Sequence, residues 1–244
     1  MKALTLAAAV LLNLGGAPEA GDSWPEFRGP GGQGRSDAVG LPHEWSEEKN
    51  VAWKTPIPLK GWSSPVVWGK QVWMTTATPD GRELYVICVD RESGKVTLNL
   101  KLFDVPKPED TAKFNSFASP TPVIEEGRVY VTFGSPGTAC LDTKTAKVLW
   151  TRRDLPCIHW RGSGSSPVLF GELLILPFDG YDLQYVAALD KKTGKTVWKA
   201  DRTHDFKTTD GEDRTAADAF VPGLIRDAYP AGSRSSISCR VISQ

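Results

Sequence analysis

The sequence predicts an all-β fold built from four-stranded antiparallel sheets stacked in series. Three observations predict it. The first is an internal repeat: "CVDRESGKVTLN", "CLDTKTAKVLWT" and "ALDKKTGKTVWK" align on Asp90, Asp142 and Asp190, which lie 52 and 48 residues apart. The second is a companion repeat in step with it: "SSPVVWGKQV" from Ser63, "TPVIEEGRV" from Thr121 and "SSPVLFGELL" from Ser165. The third is the apolar pattern, short runs bounded by Gly, Pro or Asp without a sustained 3.6-residue period. A period near 50 residues marks a solenoid, an array or a propeller.

Each copy divides into four strand-length pieces. In the third they are "SPVLF" (166–170), "LLILPF" (173–178), "YVAALD" (185–190) and "KTVWKA" (195–200). Gly171-Glu172, "DGYDLQ" (179–184) and "KKTG" (191–194) connect them. The pieces are nearly continuous in apolar residues, so both faces of each sheet are expected to be covered. A β-propeller supplies that geometry with radially stacked blades of four antiparallel strands. About three blades are present, an incomplete ring.

The last turn of each repeat carries its own chemistry. Asp190 is placed to accept hydrogen bonds from the backbone ahead of it, as in an Asx turn. Gly194 supplies positive φ without steric cost. Ala146 holds that place in the second copy and is expected to be strained if φ stays positive there. Trp150 and Trp198 share an offset of eight residues from Asp142 and Asp190. They are expected to lie buried between neighbouring sheets, each indole N–H with a partner. Leu98 holds the matching place in the first blade.

The chain has 244 residues, 40% hydrophobic and 24% charged, with a formal net charge of +0. That balance makes no electrostatic case for nucleic acid or an acidic membrane as partner. Counts of Gly 23, Pro 18 and Trp 9 fit many turns and large anchors, favouring sheet over helix. The start, "MKALTLAAAVLLNLGGAPEAGDSW", reads as a secretory signal peptide over 1–20, too short to stay as a transmembrane segment. A secreted or periplasmic location follows. Residues 21–60 form an N-terminal segment, blades occupy 61–203 (about 61–104, 116–153 and 163–203), and 204–244 read as an irregular tail. The cysteines are Cys88, Cys140, Cys157 and Cys239. Cys88 and Cys140 each sit two residues before a repeat aspartate, where the third copy has Ala188. They read as small buried hydrophobes in one repeated slot, too far apart for a disulfide.

The Asp, Thr-Gly-Lys turn and following Trp resemble the pyrroloquinoline-quinone-type propeller repeat over roughly residues 23–203. The likeness is close to full at Asp190–Trp198, lacks the glycine at Ala146, and is partial at Asp90–Leu98. "WPEFRGP", "GLPHEWSEEKNVAWKTPI" and "GWSSPVVWG" look like secreted members of that superfamily. The resemblance implies that the N-terminal segment supplies the outer strand of a last blade; "NVAWKTPI" (50–57), with Trp53, fits that role. After Asp205 the repeat text stops, with no Ser-Pro start and no further turn. That suggests truncation, with a reading-frame shift near 210–215.

Other motifs are declined. "GPGGQGRS" (Gly29 to Ser36) matches the spacing of glycine-rich phosphate loops, but no strand precedes it and no helix follows. Pro30 removes one N–H from any cradle. "RGSGSS" (161–166) lacks the nucleophile-elbow order. His43, His159 and His204 fall in loops without paired ligand spacing; His159-Trp160-Arg161 is the best candidate binding cluster. Asp179 and Asp182 are turn formers rather than a calcium site, since calcium takes about six to eight oxygens. No catalytic, cofactor-binding or metal residue is assigned. The expected function is a non-catalytic, exported binding or scaffold module, meeting a protein or ligand at the propeller rim or an exposed blade edge. The alternative is a quinone-dependent oxidoreductase carrying pyrroloquinoline quinone with calcium, or a non-functional fragment of either kind.

Overall fold

The structure, a computed structural model, describes residues 23–159, 161–180 and 182–202. Residues 1–20, read as a signal peptide, and Trp160, His204, Cys239 and the rest of 204–244, read as a tail, lie outside them. The described residues form three four-stranded antiparallel sheets and one short 3-10 turn, Pro30–Gly32. Blade 1 contains β1 (Val66–Trp68), β2 (Gln71–Ala77), β3 (Glu83–Asp90) and β4 (Val96–Asp104). Blade 2 contains β5 (Val123–Glu125), β6 (Arg128–Thr132), β7 (Thr138–Asp142) and β8 (Val148–Arg152). Blade 3 contains β9 (Val168–Phe170), β10 (Leu173–Asp179), β11 (Gln184–Asp190) and β12 (Thr196–Asp201). Each sheet is paired in simple sequential order, an all-β incomplete propeller of three blades.

The middle two strands of each blade are apolar on both faces, and alternation sends the two faces to different neighbours. In blade 1, Trp73, Leu84, Val86 and Cys88 face blade 2, meeting Ile124, Val129, Val131 and Leu141. Val72, Ile87 and Val89 face the other way and are covered by Trp53 and Ile57 of the N-terminal segment. Val123, Tyr130 and Cys140 of blade 2 meet Leu174, Leu176, Tyr185 and Leu189 of blade 3. The far face of blade 3 carries Ile175, Val186 and Ala188, packed with Leu173 and Trp198. The outermost strands depart from the expected continuous burial: β4, β8 and β12 are half-buried or exposed along most of their length. They form the blade rim, so only one side of each meets a neighbour.

The turn chemistry follows the sequence closely. Asp190 Oδ1 accepts the N–H of Thr193 at 2.8 Å and its hydroxyl at 2.7 Å. Asp142 does the same with Thr145, and Asp90 with Ser93. These bonds hold all three carboxyls below the usual carboxylate range, the side-chain hydroxyl leading at Asp90 and Asp190 and the backbone N–H at Asp142. Ala146 does keep a positive φ, 57°.

The tryptophan expectation needs correction. Trp150 is half-buried at the seam between blades 2 and 3, its Nε1 donating to Lys191 O at 3.0 Å. Leu98 packs into the core between blades 1 and 2, as expected. Trp198 is half-buried on the outward face of blade 3, with no further sheet beyond it among the described residues. Among the described residues it therefore faces one sheet only.

Residues 51–57 form no strand, because no neighbouring strand stands beside them among the described residues. Their Trp53 instead caps blade 1, donating from Nε1 to Arg91 O at 2.8 Å. Trp24 pairs with Val67 of β1, and Pro25 O accepts the N–H of Ile124 in β5, both at 2.8 Å. The segment thus runs along the inner edges of two blades.

Cys88 and Cys140 are buried free thiols on different seams, Cys88 between blades 1 and 2 and Cys140 between blades 2 and 3. Burial pushes the Cys140 thiol up to about 12. Both are expected to resist thiol reagent in the native protein and to titrate fully once it is denatured without reductant. Recovery of a peptide joining them would contradict this placement.

Candidate functional site

Antiparallel order puts two kinds of connection at opposite ends of the blades. The tight β1–β2-type turns and the aspartate turns lie at one end. The β2–β3-type loops and the long inter-blade segments, 105–122 and 153–167, lie at the other. The sequence-selected residues His159, Arg161, Asp179 and Asp182 all fall at this loop end.

There the polar side chains spend their bonds on neighbouring loops. His159 Nε2 accepts the N–H of Ser135, from the β6–β7 loop, at 3.1 Å. The neutral ring therefore carries its proton on Nδ1, which lies 3.9 Å from Cys157 Sγ. The N–H of His159 donates to Glu109 Oε2 at 2.8 Å, and that of Ile158 to Asp182 Oδ1 at 2.6 Å. Three loops meet on one short segment. Burial lowers the His159 pKa, so the ring stays neutral, and burial raises that of Glu109. The Cys157 thiol is pushed up to about 12, mainly by burial and then by the carboxylate of Asp182. It is an unreactive thiol, since the thiolate is the nucleophile.

Arg161 does not extend this clamp into a binding site with His159. Its carbonyl accepts from Asn115 Nδ2 at 2.8 Å and Thr111 Oγ1 at 3.2 Å, and its guanidinium lies over the Phe114 ring at 5.8 Å. Asp179 pairs with Arg202 at 2.6 Å, while Asp182 turns to the Ile158 amide, so the two do not converge. A shallow cavity beside the clamp is lined by Leu84, Phe117, Phe133, Pro136, His159 and Ser163. The glycine-rich segment folds back on itself: the N–H of Gly32 donates to Gly29 O at 2.8 Å and that of Gly34 to Arg28 O at 2.6 Å. His43 lies on an exposed stretch of the N-terminal segment.

The Ser-Pro and Thr-Pro pairs prove to be more than strand starts. The N–H of Ser64 in blade 1 donates to the Thr121 hydroxyl of blade 2 at 3.0 Å. The N–H of Thr121 donates to the Ser166 hydroxyl of blade 3 at 2.9 Å. Hydroxyl residues at 64, 121 and 166 are a signal present in the sequence; Glu109 and Ser135, which complete the His159 clamp, carry no repeat signal.

Among the described residues, no helix is long and apolar enough to cross a membrane. No curated protein sequence matches the chain. Solved structures similar to it include the quinohemoprotein alcohol dehydrogenase from Comamonas testosteroni, with 17% identity, TM-score 0.51, and 74% of this chain and 27% of that chain covered. The quinohemoprotein alcohol dehydrogenase ADHIIG from Pseudomonas putida HK5 is similar at 17% identity and TM-score 0.46, covering 62% of this chain and 22% of that one. BamB from Moraxella catarrhalis is similar at 18% identity and TM-score 0.36, covering 54% and 33%. The chain thus spans a third or less of the length of each, and the likeness to the first concerns the fold alone. The sequence model of one family, described as outer membrane protein assembly factor BamB, matches residues 49–229. That span contains all three blades and runs past Asp205, and the chain belongs to this family of propeller-repeat proteins.

Proposed function

We propose that the protein is an exported, non-catalytic binding or scaffold module of the assembly-factor kind, meeting a protein or ligand at the propeller rim or exposed blade edge. The observation that carries this reading is the commitment of the loop-end groups to one another. A general base needs a lone pair within reach of a substrate proton. The His159 acceptor nitrogen is held by the Ser135 amide, and Glu109 and Asp182 each accept a backbone N–H. A calcium site takes about six to eight oxygens, whereas Asp179 is spent on Arg202. The family description supports an assembly role, and the signal-like N-terminus supports export.

The test is to mix the purified protein with pyrroloquinoline quinone and calcium, then follow cofactor absorbance and dye reduction with alcohols or sugars. The expected result is neither bound cofactor nor reduction. Saturable, substrate-dependent reduction would replace this reading with an oxidoreductase.

A further inference from the structure

The bond that ties His159 to the β6–β7 loop depends on the charge of the ring. The N–H of Ser135 donates to Nε2 at 3.1 Å, and only a neutral imidazole offers that lone pair. A protonated ring carries N–H on both nitrogens, so two donors would face each other. The ring is closely held. A Cβ added at Gly134 would collide with Nε2, and Ser163 borders the same spot. The Phe178 ring lies 6.3 Å away, and Nδ1 faces Cys157 Sγ at 3.9 Å.

The charged groups around the ring are engaged elsewhere. Glu109, from the 105–122 segment, accepts the N–H of His159, and Asp182, from the β10–β11 loop, accepts that of Ile158. Asp110 lines the cavity beside the ring. Asp179, at the end of β10, pairs with Arg202. On the ring's own segment stand Cys157 and Arg161, whose guanidinium lies over Phe114. Arg153 reaches the β6–β7 loop, donating from Nε to Pro136 O at 3.1 Å. Among the described residues, no carboxylate bonds to either ring nitrogen.

We infer that His159 is a proton-operated latch: on acidification Nε2 takes up a proton, the ring drops the Ser135 amide, and the β6–β7 loop lifts from the 153–167 segment. The nearby Asp182 carboxylate favours the charged ring and so favours this step. Arg153 keeps its bond to Pro136 O, so the loop opens on one side and the blades stay together. Opening takes His159 from the wall of the cavity and bares Leu84, Phe117 and Phe133.

Burial holds the His159 pKa below the ordinary histidine value of about 6.5. The unfolded chain therefore binds more protons than the folded one just below that value. The latch is fully stable above it, weakens as the pH falls, and opens once the pH passes the lowered value. Glu109, raised by burial, works in the opposite sense. Its protonation relieves a buried carboxylate and still leaves a carbonyl oxygen for the His159 N–H. This inference is independent of the scaffold reading above.

Amide hydrogen exchange on the full 244-residue chain, followed by nuclear magnetic resonance together with the His159 ring signals, tests it over about pH 4–8. Protection is taken relative to the intrinsic rate at each pH. The Ser135 amide is expected to lose protection at least about tenfold, with the midpoint of the His159 titration. The Thr121 amide, bonded to the Ser166 hydroxyl, is expected to stay protected. His159→Gln keeps an acceptor without a titrating ring, and is expected to hold Ser135 across the whole range. Glu109→Gln is expected to leave the response in place. Constant Ser135 protection in the native chain would overturn the latch. So would a midpoint apart from that of His159, a loss shared with Thr121, a response retained in a folded His159→Gln variant, or one abolished by Glu109→Gln. Where His159→Gln does not fold, the two midpoints in the native chain decide.

Discussion

Trp73→Ala is expected to cost about 3–5 kcal/mol of folding stability. Trp73 is 1% exposed and stands in the core between blades 1 and 2. Removing the indole leaves a cavity between two sheets that are held apart by their other contacts, so collapse is incomplete. A polar loss adds to it. Trp73 Nε1 donates to Gln71 Oε1 at 3.2 Å, and Gln71 Nε2 donates to Thr143 O, in the turn of blade 2, at 2.8 Å. Truncation frees the glutamine that ties the two blades together. A total stability of about 5–15 kcal/mol is typical of a domain, so the variant should unfold at a much lower denaturant midpoint. Chemical denaturation followed by circular dichroism checks this. A loss below about 1 kcal/mol would mean that the seam between blades 1 and 2 carries little of the fold's stability.

Gly194→Ala is expected to cost about 2–4 kcal/mol, from left-handed backbone strain and from steric overlap. A Cβ at Gly194 would stand 2.7 Å from Trp150 Cδ2, so the indole must leave its seat. Gly171→Ala is the control: φ is also positive, 56°, but nothing lies within 4 Å of the added atom, and only the strain of about 1 kcal/mol should appear. The chain contains its own precedent for relief. Where the Trp position is Leu98, the glycine position of the following blade is Ala146. In a Trp150→Leu background, Gly194→Ala should therefore fall to the cost of the control. A double-mutant cycle measures the coupling, and additivity within about 0.5 kcal/mol would show that indole and glycine are not in steric conflict.

The same pair shows what the sequence makes legible. Trp150, Gly194 and Asp190 repeat at fixed offsets because each blade presents the same turn to its neighbour, so one geometry is written more than once. Leu98 and Ala146 read as two unrelated departures until Trp150 is seen against Gly194. Then they become one compensated change. Trp198 reads as buried only when the repetition is extended beyond the last described sheet; a side chain's cover belongs to the neighbour, which the repeat unit itself does not contain. The loop-end clamp is less legible. His159 stands out by residue type, but Glu109, Ser135 and Asp182 reach its segment from three different loops, and loop-to-loop contacts leave no period in a sequence.

The capping of blade 1 by Trp53 sets an order on folding. Most pairings are local, hairpin by hairpin, and such contacts form early because short loops cost little entropy to close. The N-terminal segment is the exception. Trp53 meets a carbonyl 38 residues downstream, and Pro25 meets Ile124 in the next blade. This segment, which is synthesised before the blades it caps, is thus among the last parts to find its place. Until blade 1 has closed its turn, Trp53 and Ile57 remain uncovered on a nascent chain, together with the blade face they will protect. For that interval the chain depends on speed, or on a holding chaperone, to keep its apolar surface from other molecules.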